Sequence, residues 1–272
     1  MREAQKNQIK ELIEKSGNSF HYQVVNFLRT NGWTVLVSPY YNDNLTDKPR
    51  EIDIVAEKEF DVNFFHSWLG TINAKLFIEC KYINNEVVFW FDSVNKESLV
   101  KRIMEDTSLE SSRTNSSIEK HRLMAVNSVA KLFSSKADKS QENEIIYKAL
   151  NQSLNAMVYY KNSTSILPKN RNKIQKILRT LNYPIIVCNG FNRLYKVEVG
   201  TEDKPQSVSD NFQLEVNYAY INKDKNSISE YFLIDVVDFG KLGDFLKEVE
   251  EKDIKTVGEV LSWRLNMQNQ NI

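Results

Sequence analysis

The sequence predicts an α/β fold: a central mixed β-sheet flanked by helices, with a helical insertion. Three observations predict it. Short apolar stretches with two-residue alternation recur early and late in the chain. Apolar residues at helical spacing fill the interval between them. Gly (8) and Pro (5) are sparse, which argues against long flexible linkers. At 272 residues the chain is long enough for one large domain with a sizeable core.

The elements follow in order. Residues 2–15 read as a short helix carrying Ile9, Leu12 and Ile13 on one side, interrupted by Gly17. Phe20, Val24, Phe27 and Leu28 mark a second helix, ended by Asn31-Gly32, residues that accept a left-handed cap. Residues 33–38 read as a strand, "PYYNDNLTDKP" as a polar loop, and "REIDIVA" from Arg50 as one strand. "KLFIECKY" (75–82) and "VVFWF" (87–91) are two more. From about 96 to 182 the pattern is helical: Val129, Leu132 and Phe133 mark one helix, and Ile145 to Val158 a longer one. Ile174, Ile177, Leu178 and Leu181 form the apolar side of a basic helix. Strands return over 183–190, 193–200, 214–220 and 231–239, and helices close the chain near 241–252 and 256–268. This is one domain over 1–272, with core strands in 17–92 and 183–239, an insertion over about 96–182 and C-terminal helices over 241–268. The alternative is two domains split near residue 95.

Composition narrows the function. Thirty-six Lys and Arg balance thirty-six Asp and Glu, which excludes a wholly basic binder but not a local basic groove. Cys80 and Cys188 lie far apart without CxxC spacing, which excludes a zinc ribbon. His21, His66 and His121 lack zinc-hydrolase spacing and read as ordinary surface or boundary residues. No phosphate loop, GxGxxG or GxSxG occurs. With no leader and no apolar run of spanning length, the expectation is a cytoplasmic protein without membrane contact.

Chemistry concentrates in two strands. Glu51 and Asp53 alternate with Ile52 and Ile54, and Glu79 and Lys81 flank Cys80 inside an apolar strand. Two other Glu-x-Lys triplets, Glu202–Lys204 and Glu250–Lys252, fall in a polar loop and on a charged helix. Unpaired charges inside an apolar strand are costly, so Glu79 and Lys81 need partners. One solution is an Asp53–Lys81 cross-strand salt bridge, with Glu79 at an edge. The other pairs the two strands with their acids on one face, setting Asp53 and Glu79 about 5 Å apart. Such carboxylates repel, and a divalent cation removes the penalty. Mg²⁺, with Mn²⁺ as a substitute, suits two carboxylates plus the backbone carbonyl of Cys80. Lys81 beside it would serve an attacking water or a charged transition state. The set suits phosphodiester hydrolysis.

The order helix, strand, "REID" strand, "ECK" strand resembles the PD-(D/E)xK nuclease superfamily, over roughly residues 17 to 92. Asp53 takes the place of the first acid, and Glu79-Cys80-Lys81 that of (D/E)-x-K. The resemblance implies a restriction-endonuclease-like core and a metal-dependent endonuclease acting on DNA, with RNA not excluded. It places such a protein in restriction or phage defence, as a homodimer or with a partner protein in a defence complex. It also gives a role to a polar residue on the preceding helix, which offers His21 and Gln23, with Gln23 the one that matches the pattern and Glu51 as the candidate for a missing acid. Lys169, Arg171, Lys173 and Lys176 could contact phosphate next to the active site, or form a solvated helix face. The alternative function is a catalytically silent module of the same fold that binds nucleic acid or a partner protein.

Overall fold

The computed structural model describes residues 7–11, 13, 17–44, 46–107, 118–135, 143–161, 165–167, 176–200, 204–221 and 225–270. One ten-stranded mixed sheet runs through it. Its strands are β1 (Thr34–Val37), β4 (Ile54–Phe64), β5 (Ser67–Lys81), β6 (Val87–Ser93), β7 (Ser128–Ser135), β8 (Ile177–Cys188), β9 (Leu194–Glu198), β10 (Gln206–Ser207), β11 (Phe212–Ile221) and β12 (Ser227–Asp238). The order across the sheet is β1-β4-β5-β8-β12-β11-β7-β6-β9-β10. A separate ribbon pairs β2 (Tyr40–Asn42) with β3 (Pro49–Glu51). Strands from both ends of the chain therefore share one sheet. β5, β8 and β12 are parallel neighbours at its centre, and β1-β4-β5 form an antiparallel flank.

Helices cover both faces. Helix α1 (Asn18–Thr30) buries Phe20, Val24, Val25 and Leu28, and ends where Gly32 takes φ 80°. Its apolar stripe packs on Ile54, Ala56, Leu76 and Ile78, together with α4 (Leu242–Glu248) and α5 (Lys255–Gln270). The opposite face, with Val55 and Phe77, receives α3 (Asn143–Tyr160) through Ile146, Ala149, Leu150, Leu154 and Met157. Ser153 Oγ donates to the Phe77 carbonyl, fixing α3 to β5. Helix α2 (Lys96–Thr107) packs through Leu99 and Ile103 onto Val129 and Leu233. A π-helical turn, Val249–Ile254, joins α4 to α5. Among the described residues no helix is long and apolar enough to cross a membrane.

Three elements differ from the sequence expectation. "REIDIVA" is not one strand: β3 ends at Glu51, β4 begins at Ile54, and the two lie in different sheets. Ile52 and Ile54 enter the cores on opposite faces, which forces the break. Residues 128–135 form a strand rather than a helix, since β6 pairs along their length and Leu132 is left 65% exposed. The i, i+3, i+4 spacing there was an accident of a short apolar run, which periodicity alone cannot assign. Ile177, Leu178 and Leu181 likewise lie in β8, whose register with β5 runs from Thr71↔Ile177 to Lys81↔Cys188. Pro184 is tolerated inside β8 because pairing with β12 begins only at Ile185. "VVFWF" is a strand, β6, but it pairs with β7 and β9 at the far side of the sheet.

Candidate functional site

The β4–β5 ladder ends at Ile54↔Ile78, and the β1–β4 ladder at Val37↔Ile54. The next residues, Asp53 and Glu79, stand opposite one another in register. Here side chains replace ladder bonds. The Cys80 amide donates to Asp53 Oδ2 at 2.7 Å, and the Asp53 amide donates to Glu79 Oε1 at 3.3 Å. The two carboxylates thus interlock across the strands. Lys81 Nζ donates to Glu79 Oε2 at 2.7 Å. The site lies at the carboxyl ends of the parallel strands β5 and β8, the edge where open α/β sheets present their ligand crevices.

Glu79 is fully buried, whereas Asp53 and Lys81 are half-buried. Burial pushes the Glu79 carboxyl up to about 7, and the Asp53 charge adds to the rise while Lys81 opposes it. Burial alone would push the Lys81 ammonium down; Glu79 and then Asp53 outweigh it and hold the ammonium above its ordinary value. The Cys80 thiol is driven well above its ordinary value by burial, then by Asp53 and Glu79, so it is no thiolate nucleophile.

The remaining sequence candidates are distributed differently. Glu51 ends β3 opposite Tyr40, and its carboxylate accepts the Tyr40 hydroxyl. Its own carbonyl accepts from Gln152 Nε2 of α3 at 3.0 Å. Glu51 and Asp53 therefore do not share one strand face as expected. Gln23 sits on the exposed side of α1. Residues two apart on a helix point about 200° away from each other, and it is His21, not Gln23, whose side chain reaches Asp53. Lys176 precedes β8, and its carbonyl accepts from the Thr71 amide. Gly70 makes that approach possible: a Cβ there would meet the Lys176 carbonyl at 2.5 Å. At about 3.3 Å per residue, the run of β5 from Thr71 to Glu79 is about 26 Å. Lys176 is thus at the opposite end of β5, not beside the site. Lys169, Arg171 and Lys173 lie outside the described residues.

Sequence reading preferred Gln23 to His21 and missed Ser38 and Tyr41. His21 Nε2 lies 3.0 Å from the Asp53 carbonyl, and the Ser38 amide donates to the same oxygen at 2.8 Å. Tyr41 is buried, and its hydroxyl is raised by burial first and then by the Glu79 charge. The exposed-looking loop "PYYND" gave no sign of this; only the apolar-alternation signal at Tyr41 could have.

A divalent cation would find oxygen donors here, the ligands Mg²⁺ prefers. Among the described residues no group of three or more His, Cys, Asp or Glu side chains is clustered to hold one. Two carboxylates are nevertheless present, and each carboxylate offers about four lone-pair sites, more than the protein donors use. In a strand the N–H and C=O of one residue point to the same side. The Cys80 carbonyl therefore faces Asp53, as its amide does. Two carboxylates and a peptide carbonyl, completed by water, fit Mg²⁺, which commonly keeps several waters. The raised Glu79 carboxyl fits too, because a cation favours the charged form that burial disfavours.

Compared with protein-family models, curated proteins and solved structures, the chain shows no significant match.

Proposed function

We propose that the protein is a metal-dependent endonuclease that hydrolyses phosphodiester bonds in DNA. The observation that carries this reading is the interlocked Asp53–Glu79 pair with Lys81 Nζ 2.7 Å from Glu79. Asp53, Glu79 and the Cys80 carbonyl would hold Mg²⁺ or Mn²⁺. The ion would supply Lewis acidity and a water of lowered pKa. Lys81, cationic and half-buried, would stabilise the charge that develops on the phosphate oxygens. Without the cation, burial raises the Glu79 carboxyl to about 7; the bound ion would favour its charged, ligating form. Glu51 and Gln23 carry no step in this scheme.

Plasmid DNA, single-stranded DNA and RNA are incubated with the protein and Mg²⁺ or Mn²⁺, beside Asp53→Ala and Lys81→Ala. Cleavage is expected from the wild type alone. Equal cleavage by wild type and variants, or none with any substrate, sinks the proposal.

A second reading has its own support. Asp53 and Glu79 already accept protein donors, so the site is internally satisfied without a cation. That favours a catalytically silent module that binds nucleic acid or a partner protein. Binding of those nucleic acids without cleavage, unaffected by Asp53→Ala, is its signature.

A further inference from the structure

We propose that His21 is a positioning residue for this site, holding the Asp53 peptide so that the Asp53 carboxylate is presented correctly to the cation. The inference rests on the metal-dependent reading above.

Asp53 lies between two strands and belongs to neither ladder. Past the ladders, main-chain bonds from the Ser38 amide to the Asp53 carbonyl and from the Ile52 amide to the Pro39 carbonyl continue on one side only. The Asp53 peptide groups are held one at a time. Glu79 Oε1 accepts its N–H, and its carbonyl meets the Ser38 amide at 2.8 Å and His21 Nε2 at 3.0 Å. Ser38 provides its amide from a left-handed conformation, φ 50°, that few residues other than glycine adopt. His21 reaches in from a different layer. Its helix is seated by Phe20, Val24 and Leu28, and Phe20 meets Phe239 edge to face at 5.5 Å. A rigid helix therefore transmits its position to the Asp53 peptide through one imidazole.

Among the described residues the carboxylate accepts from the Cys80 amide at 2.7 Å. Rotation of the Asp53 peptide would swing that contact apart. Loss of His21 leaves Ser38 as the described donor to the carbonyl. Groups that orient a metal ligand in this way typically change metal affinity or activity by about 10–100-fold when removed.

The full chain is compared with His21→Ala and His21→Gln. Mn²⁺ binding is followed by calorimetry, and cleavage is resolved into kcat and KM. His21→Ala should weaken Mn²⁺ binding and lower kcat by at least about tenfold, with KM for nucleic acid little changed. His21→Gln should recover most of both, because its amide N–H reaches as far as the imidazole N–H. Thermal midpoints report folding independently, and His21→Gln keeps the question answerable if the alanine variant is unfolded. Wild-type Mn²⁺ affinity in His21→Ala overturns the inference. So does a Gln variant no better than Ala, which would assign the imidazole to packing. A wild type that binds no Mn²⁺ and cleaves nothing overturns the metal-dependent reading itself, a result distinct from those two.

Discussion

Lys81 Nζ pairs at 2.7 Å with Glu79, two residues back on its own strand, while Asp53 across the ladder takes the Cys80 amide. The lysine is thus tied to the more buried of the two acids. Lys81→Met removes the one cation hydrogen-bonded to Glu79 among the described residues. Glu79 should then hold its proton throughout the neutral range. Cleavage should fall by about 10²-fold or more, the usual worth of a group acting on the reacting atoms. Rates on plasmid DNA, with an infrared measurement of the carboxyl stretch, test the two halves separately. An unprotonated Glu79 in the variant would contradict the coupling.

The same pair gives stability a direction with pH. The folded Glu79 carboxyl titrates at about 7, against an ordinary 4.5. Between those values the folded protein binds more protons than the unfolded chain, so stability falls as pH rises across that window. Asp253, pushed up from 3.8 to about 6 by burial, acts the same way over a lower window. Metal-free protein should therefore lose stability from about pH 4 to about pH 7. Mg²⁺ should flatten the upper part, because it favours charged Glu79. Glu79→Gln should lack that upper part in any buffer. Thermal midpoints at several pH values, with and without Mg²⁺, check this.

The two-strand site was legible because charge inside an apolar run is conspicuous. Alternation places Glu79 and Lys81 on one face, but leaves open whether Asp53 meets Lys81 or Glu79 across the strands. What could not be read was how the chain bends at Asp53. The break needs Ile52 and Ile54 to enter different cores, and no local rule shows a second core. The choice of Gln23 over His21 went wrong for a related reason: the partner of His21 is a backbone carbonyl, which has no residue identity in the sequence. A second acid–base pair on the same two strands also went unseen. Glu57 and Lys75 meet at 2.9 Å, fully buried, with Ser165 Oγ donating to Glu57. Their separation in sequence, eighteen residues apart, gives no sign that they meet. The strand order of the sheet was equally hidden, since β5 pairs with β8, a strand about a hundred residues later, rather than with its successor β6. Fold class follows from patterns within elements, whereas order follows from contacts between them.

Arg122 opens the short 3₁₀ turn Arg122–Ala125 and anchors it. Its guanidinium donates twice to Asp235, at 2.8 and 2.7 Å, and once to Asp253 at 2.8 Å. Its amide also donates to Asp253, and the Phe245 ring lies 5.1 Å away. Asp253 is carried inward by the π-helical turn. Arg122→Met leaves two buried carboxylates without their cation, and should cost about 3–5 kcal/mol. Arg122→Met with Asp235→Asn and Asp253→Asn should recover much of that loss, because no charge is then stranded. Urea unfolding measures both. A triple variant no more stable than the single one would show that the guanidinium's packing, not its charge, is what matters.

The hairpin between β4 and β5 turns through Phe65 and His66, with Phe64 paired to Ser67. Phe65 has φ 52° and is 85% exposed. A positive φ at the first of two turn residues is the pattern of a type II′ turn, where glycine is preferred because it has no Cβ to strain the backbone. The ring recovers little: it meets Phe64 edge to face at 4.7 Å, on the surface. Relief of strain and removal of an exposed ring should outweigh that contact. Phe65→Gly is therefore expected to stabilise the protein by about 0.5–1 kcal/mol. The urea midpoint should rise with an unchanged slope, since the same surface is exposed on unfolding. Asp53 lies at the other end of β4, so cleavage should be unaffected. A destabilised Phe65→Gly would mean that the Phe64–Phe65–Trp263 cluster, with Phe64 and Trp263 centroids 5.9 Å apart, holds the hairpin against α5 more strongly than the turn resists it.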